Sequence, residues 1–359
     1  MAMSPRSPRE LAAAAWREAV VRSSARRTEL ALRRAARTGS RILLGPFLGE
    51  IGYELEYWIP FMRRELHRHG IPPEQVTVMT RGGAALWYRD FAAEELDILE
   101  LLTPEEYLPQ LEARRARARD LKQLRVDEFD RRLVALARAR LGPLMVIHPS
   151  LMFARLRGLW FKGTPLAEAL PRLEFRQLEV DPQPLPGIPA DYVAVKLYFN
   201  ECLRAGPETG RFLRSTVERL AEDCDVVLLS TGLYVDDHEE WAIRHERVHP
   251  IEHLLRPADN LAVQTRLIAG ARGLVATYGG FSYLGPLLGV PALTFYELEQ
   301  TVPLHLDVLR TAVPEAEYER ARVGDAEAVE RFAAGVAVTS AAGREGAPPP
   351  PARPRGATA

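Results

Sequence analysis

The chain has 359 residues, more than one hydrophobic core usually contains, so we expect two domains. It is 47% hydrophobic and 26% charged with a net charge of −1, which is typical of a globular protein and argues against nucleic acid as a partner. No apolar run reaches the roughly 18 residues of a membrane span, and no apolar secretory segment opens the chain, so we expect a cytoplasmic protein.

The first predicted unit is a basic helical extension over residues 1–40. Residues 4–38 mix alanine with nine arginines and three glutamates, a pattern typical of amphipathic helices. We favour a solvated helix packed on the domain that follows. The alternative is a helix that contacts anionic lipid and makes the protein peripheral at the inner membrane face, and a transit peptide is a lesser option.

The second unit, residues 41–164, alternates apolar strand patterns with helical ones. A helix from Glu54 to His69 ends at Gly70, and a charged helical region follows Pro104. A proline-rich linker over 165–190 then separates this unit from the next. Strands are predicted at 41–47, 75–80, 96–102 and 143–150.

The third unit, residues 191–340, repeats this alternation, and the tail 341–359 has the composition of a disordered segment. Short apolar strands separated by helices indicate parallel sheets covered on both faces. The predicted fold is therefore α/β, with two Rossmann-like domains facing a cleft and ligands at the carboxyl ends of the strands. Strands are predicted at 191–200, 225–231, 245–251, 273–277 and 292–297, and helices at 210–222, 260–270, after Phe281 and at 302–310.

The first strand-end loop, PFLGEIGYELEYWIP (46–60), contains two acids near two glycines. Glu50 and Glu54 are candidate general bases that would face the cleft. Either carboxylate can instead cap the helix that follows. The loop does not match the GxGxxG dinucleotide fingerprint.

In the third unit, a lysine lies inside an apolar strand although the chain has only three lysines. Lys196 and Asn200 share one face of the strand, and Arg204 follows. Lys196 can contact a phosphate, or it can extend from the sheet edge to solvent. Thr231, at the end of the next strand, suits either a ligand-lining turn or an ordinary one.

A third loop has the sequence TYGGFSYLGPLLGVP (277–291), in which a strand leads through Gly279 and Gly280 into a helix that begins near Phe281. Backbone N–H groups from Gly279 to Ser282 can bind a pyrophosphate at a helix N-terminus. The same glycines can simply let a helix and a strand pack closely. The sequence leaves both readings open.

The segment LAVQTRLIAGARGLVATYGGFSYLGPLLGVPALTFYE resembles the donor-binding segment of GT-B glycosyltransferases, above all the heptosyltransferase-like group. Gly280 falls on that family's glycine, and the spacing from Thr277 to Pro291 matches without a gap. In the first loop, Pro60 and Arg63 align with the family's P-x-x-R helix. That alignment places Glu54 where an aspartate proposed as catalytic base usually lies.

The chain also departs from the family pattern, because the usual Asn-Asp-Ser-Gly-x-x-His turn is replaced by Thr277, Tyr278, Gly279, Gly280 and Tyr283. The family's acid and histidine are absent, and Glu297 or Glu299, just beyond the final strand, becomes a candidate for the ribose contact. Sugar-nucleotide epimerases share a similar segment, but their paired glutamates after the turn are missing here.

The resemblance implies a transferase that moves a sugar from a nucleotide-sugar donor to an acceptor hydroxyl, on a glycan of a bacterium. It implies no metal and no cofactor besides the donor. The histidines at 245, 249 and 253 do not form a helical metal face because Pro250 interrupts them. The alternatives are an epimerase and a GT-B domain that binds nucleotide, glycan or a protein without catalysis.

Overall fold

A computed structural model describes residue 26 and residues 28–118, 122–161, 163–200, 202–231, 239–298 and 303–345. Residues 28–38 form a helix, α1. Residues 1–25 and 27 of the predicted basic extension, and residues 346–359 of the predicted tail, lie outside the described residues. Within the described part of the chain, no helix has the length and apolar character needed to cross a membrane.

The first sheet has four parallel strands in the order β3-β2-β1-β4. Its inner strands are short and apolar, as expected when helices cover both faces. The strand order reverses between β1 and β4, so the crevice of this sheet lies at their carboxyl ends. The strands are β1 (Ile42–Leu44), β2 (Val76–Thr80), β3 (Glu94–Asp97) and β4 (Met145–Ile147).

The first long helix, α2, contains a local change of helical geometry. It begins at Ile51–Tyr53, widens into a π-helical turn at Glu54–Trp58 and continues over Ile59–His69, where Gly70 ends it in a left-handed conformation. The other helices of this part are α3 (Ile98–Leu101), α4 (Pro104–Ala118), α5 (Glu128–Leu141), α6 (Ser150–Arg155), α7 (Arg157–Phe161) and α8 (Leu166–Ala169).

The second sheet has six parallel strands in the order β12-β11-β10-β5-β7-β9, and its order reverses between β5 and β10. An antiparallel pair, β6 with β8, lies beside it. The strands are β5 (Tyr192–Lys196), β6 (Tyr198–Phe199), β7 (Asp225–Leu228), β8 (Glu239–Glu240), β9 (Val248–Pro250), β10 (Leu274–Thr277), β11 (Ala292–Tyr296) and β12 (Tyr318–Arg322).

The helices of the second sheet follow the predicted alternation. A short 3-10 turn, Gly280–Tyr283, precedes α11. The helices are α9 (Pro207–Asp223), α10 (Asn260–Ala269), α11 (Leu284–Leu287), α12 (Pro303–Ala312) and α13 (Ala326–Glu345). Of the predicted linker, 165–190, the start is helical, with α8 and a 3-10 turn at Leu170–Arg172, and residues 173–191 contain neither helix nor strand.

The hydrophobic core runs continuously from one sheet to the other. One cluster of buried side chains includes Leu44 and Tyr57 from the first sheet and its helix, together with Tyr278 and Leu284 from the second. Each sheet has one further cluster of buried side chains, on the face opposite to this shared cluster. The two parallel α/β sheets of the predicted fold are confirmed, and the residue limits of the domains stay a prediction.

Two local predictions were wrong. The segment 96–102 was expected to be a strand, but the strand ends at Asp97, whose carboxylate accepts a hydrogen bond from the Leu99 backbone at 2.8 Å and caps α3. Helix α13 runs on to Glu345, so the predicted disordered tail begins within a helix.

Candidate active site

The reversal point of the second sheet brings together the ends of β5 and β10. The Thr277 hydroxyl donates to the Tyr198 carbonyl at 2.7 Å and accepts from the Tyr198 amide at 3.0 Å. This exchange fixes the segment after β5 against the strand that leads into the glycine turn. Lys196 is the last residue of β5, so it lies at the carboxyl end of a strand beside the reversal point, where open α/β sheets bind ligands.

Lys196 is paired rather than extended to solvent. Its Nζ donates to the Leu229 carbonyl at 2.8 Å and to Glu240 Oε1 at 2.5 Å, and it lies 5.6 Å from the centre of the Phe281 ring. The second oxygen of Glu240 accepts the Thr231 amide at 2.7 Å. Three predicted donor-binding residues thus lie together: Glu240, which the sequence did not single out, joins Lys196 to Thr231, and Phe281 lies beside Lys196.

The loop after β6 carries the next predicted residues, and its polar groups serve the loop itself. Asn200 Oδ1 accepts from the amides of Cys202 and Leu203 at 2.8 and 2.9 Å. The Arg204 amide donates to Glu297 Oε2 at 3.2 Å, so these two exposed residues come together at the end of β11. Asn200 therefore shapes a turn, whereas Arg204 and Glu297 lie on the surface at the carboxyl end of the second sheet.

The glycine turn is in close contact with the first loop. Gly279 has a φ of +152°, and the Ser282 hydroxyl donates back to its carbonyl at 2.7 Å, so Ser282 closes the turn and is fully buried. A side-chain carbon on Gly280 would overlap the backbone nitrogen of Gly52, and one on Gly52 would lie 3.0 Å from Gly280 Cα. In this conformation the close neighbour of the glycine turn is a chain segment.

Glu54, predicted as a catalytic base, is locked inside the first domain. Its carboxylate is fully buried, forms an ion pair with Arg81, and accepts from the hydroxyls of Thr80 and Tyr88 at 2.9 and 2.6 Å. Arg81 also donates to the Gly49 carbonyl at 2.8 Å. A carboxylate with three donors and no exposed surface suits the support of the Gly49 loop better than proton transfer.

Glu50, the other predicted base, has a different position. It is exposed at the start of α2, and its side chain does not cap the helix. It lies two residues from Gly52, next to the contact with the glycine turn. The structure therefore leaves Glu50 accessible from solvent at the junction of the two domains, while Glu54 is enclosed.

Sequence reasoning missed a carboxylate–histidine pair that bridges the two halves of the chain. Glu56 on α2 is 2% exposed, and its Oε2 lies 2.6 Å from Nδ1 of His305 on α12. The Tyr57 hydroxyl lies 3.1 Å from the same nitrogen. Burial raises the pKa of Glu56 to about 7, although the hydrogen bond from His305 acts to lower it.

The other oxygen of this carboxylate is buried and unpaired. Among the described residues, Glu56 Oε1 has no hydrogen-bond partner. Such an atom costs free energy, so it needs an explanation in function or in a bound group. The π-helical turn explains how Glu56 comes to face α12, because one extra residue in the turn changes which side chains point to each side, and such turns are frequent at functional sites.

His305 lines a cavity of about 490 Å³ at the junction of the two halves. The aromatic rings of Tyr53 and Trp160 form part of its wall, with centroids 5.6 Å apart and an angle of 65°. Lys122 and Asp307 supply charged groups, and Lys122 Nζ lies 5.4 Å from the centre of the Tyr53 ring. Volume and lining are those of a small-molecule site.

Metal binding has little support in the described part of the chain. One grouping of ligand atoms, Glu29, Glu65 and His69, lies within 4.8 Å of one another. Arg33 and Arg68 form ion pairs with Glu29, so cationic groups already neutralise it. Of the three histidines considered from the sequence, His249 pairs with Asp225 at 3.0 Å.

Comparisons with known proteins concern the fold. No family model and no curated protein matches the chain. It is similar to the structure of E. coli ADP-heptose LPS heptosyltransferase II (12% identity, TM-score 0.47, 84% of this chain, 99% of that chain) and to E. coli heptosyltransferase WaaC with ADP (14%, 0.44, 82%, 99%). A putative UDP-N-acetylglucosamine 2-epimerase from Listeria monocytogenes is also similar (14%, 0.38, 84%, 89%).

The two heptosyltransferases are of the group that the sequence motif resembles, whereas the third structure is of the alternative class, the epimerases. Their identities are all below 25% and their TM-scores below 0.5, so they carry no argument about chemistry.

Proposed function

We propose that this chain is a glycosyltransferase that moves a sugar from a nucleotide-sugar donor to an acceptor hydroxyl, with the Glu56–His305 pair as its general base. One observation carries the proposal: a buried carboxylate from the first half is bonded to a histidine of the second, and this histidine lines a cavity of small-molecule size. The glycine-turn sequence, with its resemblance to donor-binding segments, gives independent support.

The base works through the second ring nitrogen of His305. Glu56 occupies Nδ1, so Nε2, which makes no hydrogen bond among the described residues, is the nitrogen that can accept a proton. It takes the acceptor's hydroxyl proton while the hydroxyl oxygen bonds to the anomeric carbon of the donor. Glu56 orients the ring and stabilises the imidazolium that forms, the role a carboxylate plays in hydrolytic triads.

The leaving group is a nucleotide diphosphate, whose negative charge grows as the bond to the anomeric carbon breaks. We assign its stabilisation to Lys196 and to the backbone N–H groups from Gly279 to Ser282, at the reversal point of the second sheet. Thr231, Arg204 and Glu297 surround that point and complete the proposed donor site.

Donor binding at the glycine turn requires the two halves to move apart, because the backbone of Gly52 covers Gly280 in the present conformation. Reclosure would exclude water from the reacting atoms. Glu54 supports the loop that moves, through Arg81 and the Gly49 carbonyl. The cytoplasmic location and the bacterial glycan as setting belong to the same proposal.

The Gly52–Gly280 contact also favours a second candidate, a binding protein without transferase activity. If the contact persists, the turn is closed to phosphate, and the resemblance concerns the scaffold alone. The two candidates differ in whether a donor is consumed.

Titration calorimetry against a panel of nucleotide sugars, followed by an assay of donor breakdown with and without acceptors, separates these functions. The transferase predicts binding of one donor class and acceptor-dependent release of nucleoside diphosphate. Conversion of the donor sugar without an acceptor would identify an epimerase, and binding without turnover a binding protein. The control is His305→Gln, which keeps a hydrogen-bonding side chain towards Glu56 but cannot act as the base.

A further inference from the structure

We propose that the cavity of about 490 Å³ beside His305 holds an uncharged sugar ring, the acceptor of the proposed transfer. The inference rests on the proposed function and names its acceptor class. Its first support is the aromatic lining: Trp160 lies across Tyr53 with ring centroids 5.6 Å apart. A pyranose ring has one face of C–H groups that packs on aromatic rings, while its hydroxyls stay free for hydrogen bonds.

The charged groups of the cavity argue for an uncharged ring. Lys122 can only donate hydrogen bonds and Asp307 can only accept them, and the formal charges of these two cancel. Sugar hydroxyls both donate and accept, so a neutral ring can form hydrogen bonds with either group. A charged ring would be attracted by one of these two groups and repelled by the other, so the pair offers no net compensation for removing that charge from water.

The position of His305 determines how the sugar ring would be oriented in the cavity. Because Nδ1 is held by Glu56 at 2.6 Å, the imidazole edge available to a ligand carries Nε2. A ring stacked on Trp160 therefore presents an edge hydroxyl to the proposed base, as the transfer requires. The cavity thus selects the acceptor by ring face and charge, and the Glu56–His305 pair acts on one of its hydroxyls.

The test is binding to the full chain without any donor, followed by tryptophan fluorescence and calorimetry. The probes are a neutral methyl glucoside, glucose 6-phosphate and glucosamine. We expect the neutral glycoside to bind more tightly than both charged probes. We expect Asp307→Asn, a change at an exposed side chain, to weaken binding of the neutral glycoside by about 2–10-fold. Trp160→Phe should remove the fluorescence change, and Glu315→Gln, exposed near the end of α12 and outside the cavity lining, should match the wild type.

Tighter binding of a charged probe, no binding of any probe, or the same affinity in Asp307→Asn would overturn the inference. Its failure is distinguishable from failure of the proposed function, because no donor is present. Acceptor-dependent turnover with no glycoside binding in the cavity refutes only the inference. Neutral glycoside binding without donor turnover refutes only the transferase.

Discussion

Replacing Glu56 with glutamine should make the free energy of unfolding less dependent on pH. Burial raises the pKa of this carboxyl from 4.5 to about 7. Between these values the folded protein keeps a proton that the unfolded chain has released, so the free energy of unfolding falls as pH rises through this window and levels off above it. Each pH unit is worth about 1.4 kcal/mol, which gives a loss of about 3 kcal/mol for the wild type.

Glutamine does not titrate, so the variant should escape this loss. We expect the stability of Glu56→Gln relative to the wild type to improve by about 3 kcal/mol between pH 4.5 and pH 8. Urea unfolding of both proteins at a series of pH values measures the difference, from which all shared titrating groups cancel. Glu315→Gln is the control, and its difference from the wild type should not follow this window. A difference that stays constant, or worsens with pH because Glu56 is a permanently charged partner of His305, would refute the reasoning.

Three further changes test the neighbouring parts of the site. Gly280→Ala should lower the free energy of unfolding, measured in urea, by about 1–3 kcal/mol, because the added carbon would meet the backbone of Gly52. Gly210→Ala, a change with open space around it, should be neutral or stabilising. Equal effects of the two changes would contradict the close contact. Glu54→Gln should cost about 3–5 kcal/mol because it leaves a buried arginine unpaired, and a stability near that of the wild type would argue against its supporting role. Lys196→Ala should weaken nucleoside diphosphate binding by about tenfold in calorimetry, and unchanged affinity would assign this lysine to its ion pair alone.

Most of the fold could be predicted because the strands are short apolar runs with helices between them. β1, β2, β4, β5, β10 and β11 all fall within the expected segments. Strand β12 was missed. Its sequence is Tyr-Glu-Arg-Ala-Arg, and it lies at the edge of the sheet, where it has one strand partner. An edge strand with charged side chains lacks the apolar run on which the prediction depended.

The donor side of the site could be predicted in part, because carboxyl ends of parallel strands share one edge of a sheet. That rule alone places Lys196 beside Thr231 and Phe281, as the structure shows. The rule could not show that Glu240 pairs with Lys196, since β8 lies outside the main sheet.

The proposed base could not be predicted from sequence, for two physical reasons. Glu54 and Glu56 are two residues apart, and only the π-helical turn decides which of them faces the second domain. His305 is 249 positions from Glu56 in sequence, so nothing local connects them. An acid within the apolar run YELEYWIPF was the one available signal.

The pH dependence of donor turnover tests the central claim most directly. Burial raises the pKa of Glu56 to about 7, and we expect acceptor-dependent turnover to rise with pH to a plateau above about 7 as this carboxyl loses its proton. Glu56→Gln and His305→Gln should each lower the plateau by about 10²–10⁴-fold, with donor affinity unchanged. Full turnover in either variant, or a wild-type profile that is flat from pH 5 to 9, would contradict the assignment of this pair as the base.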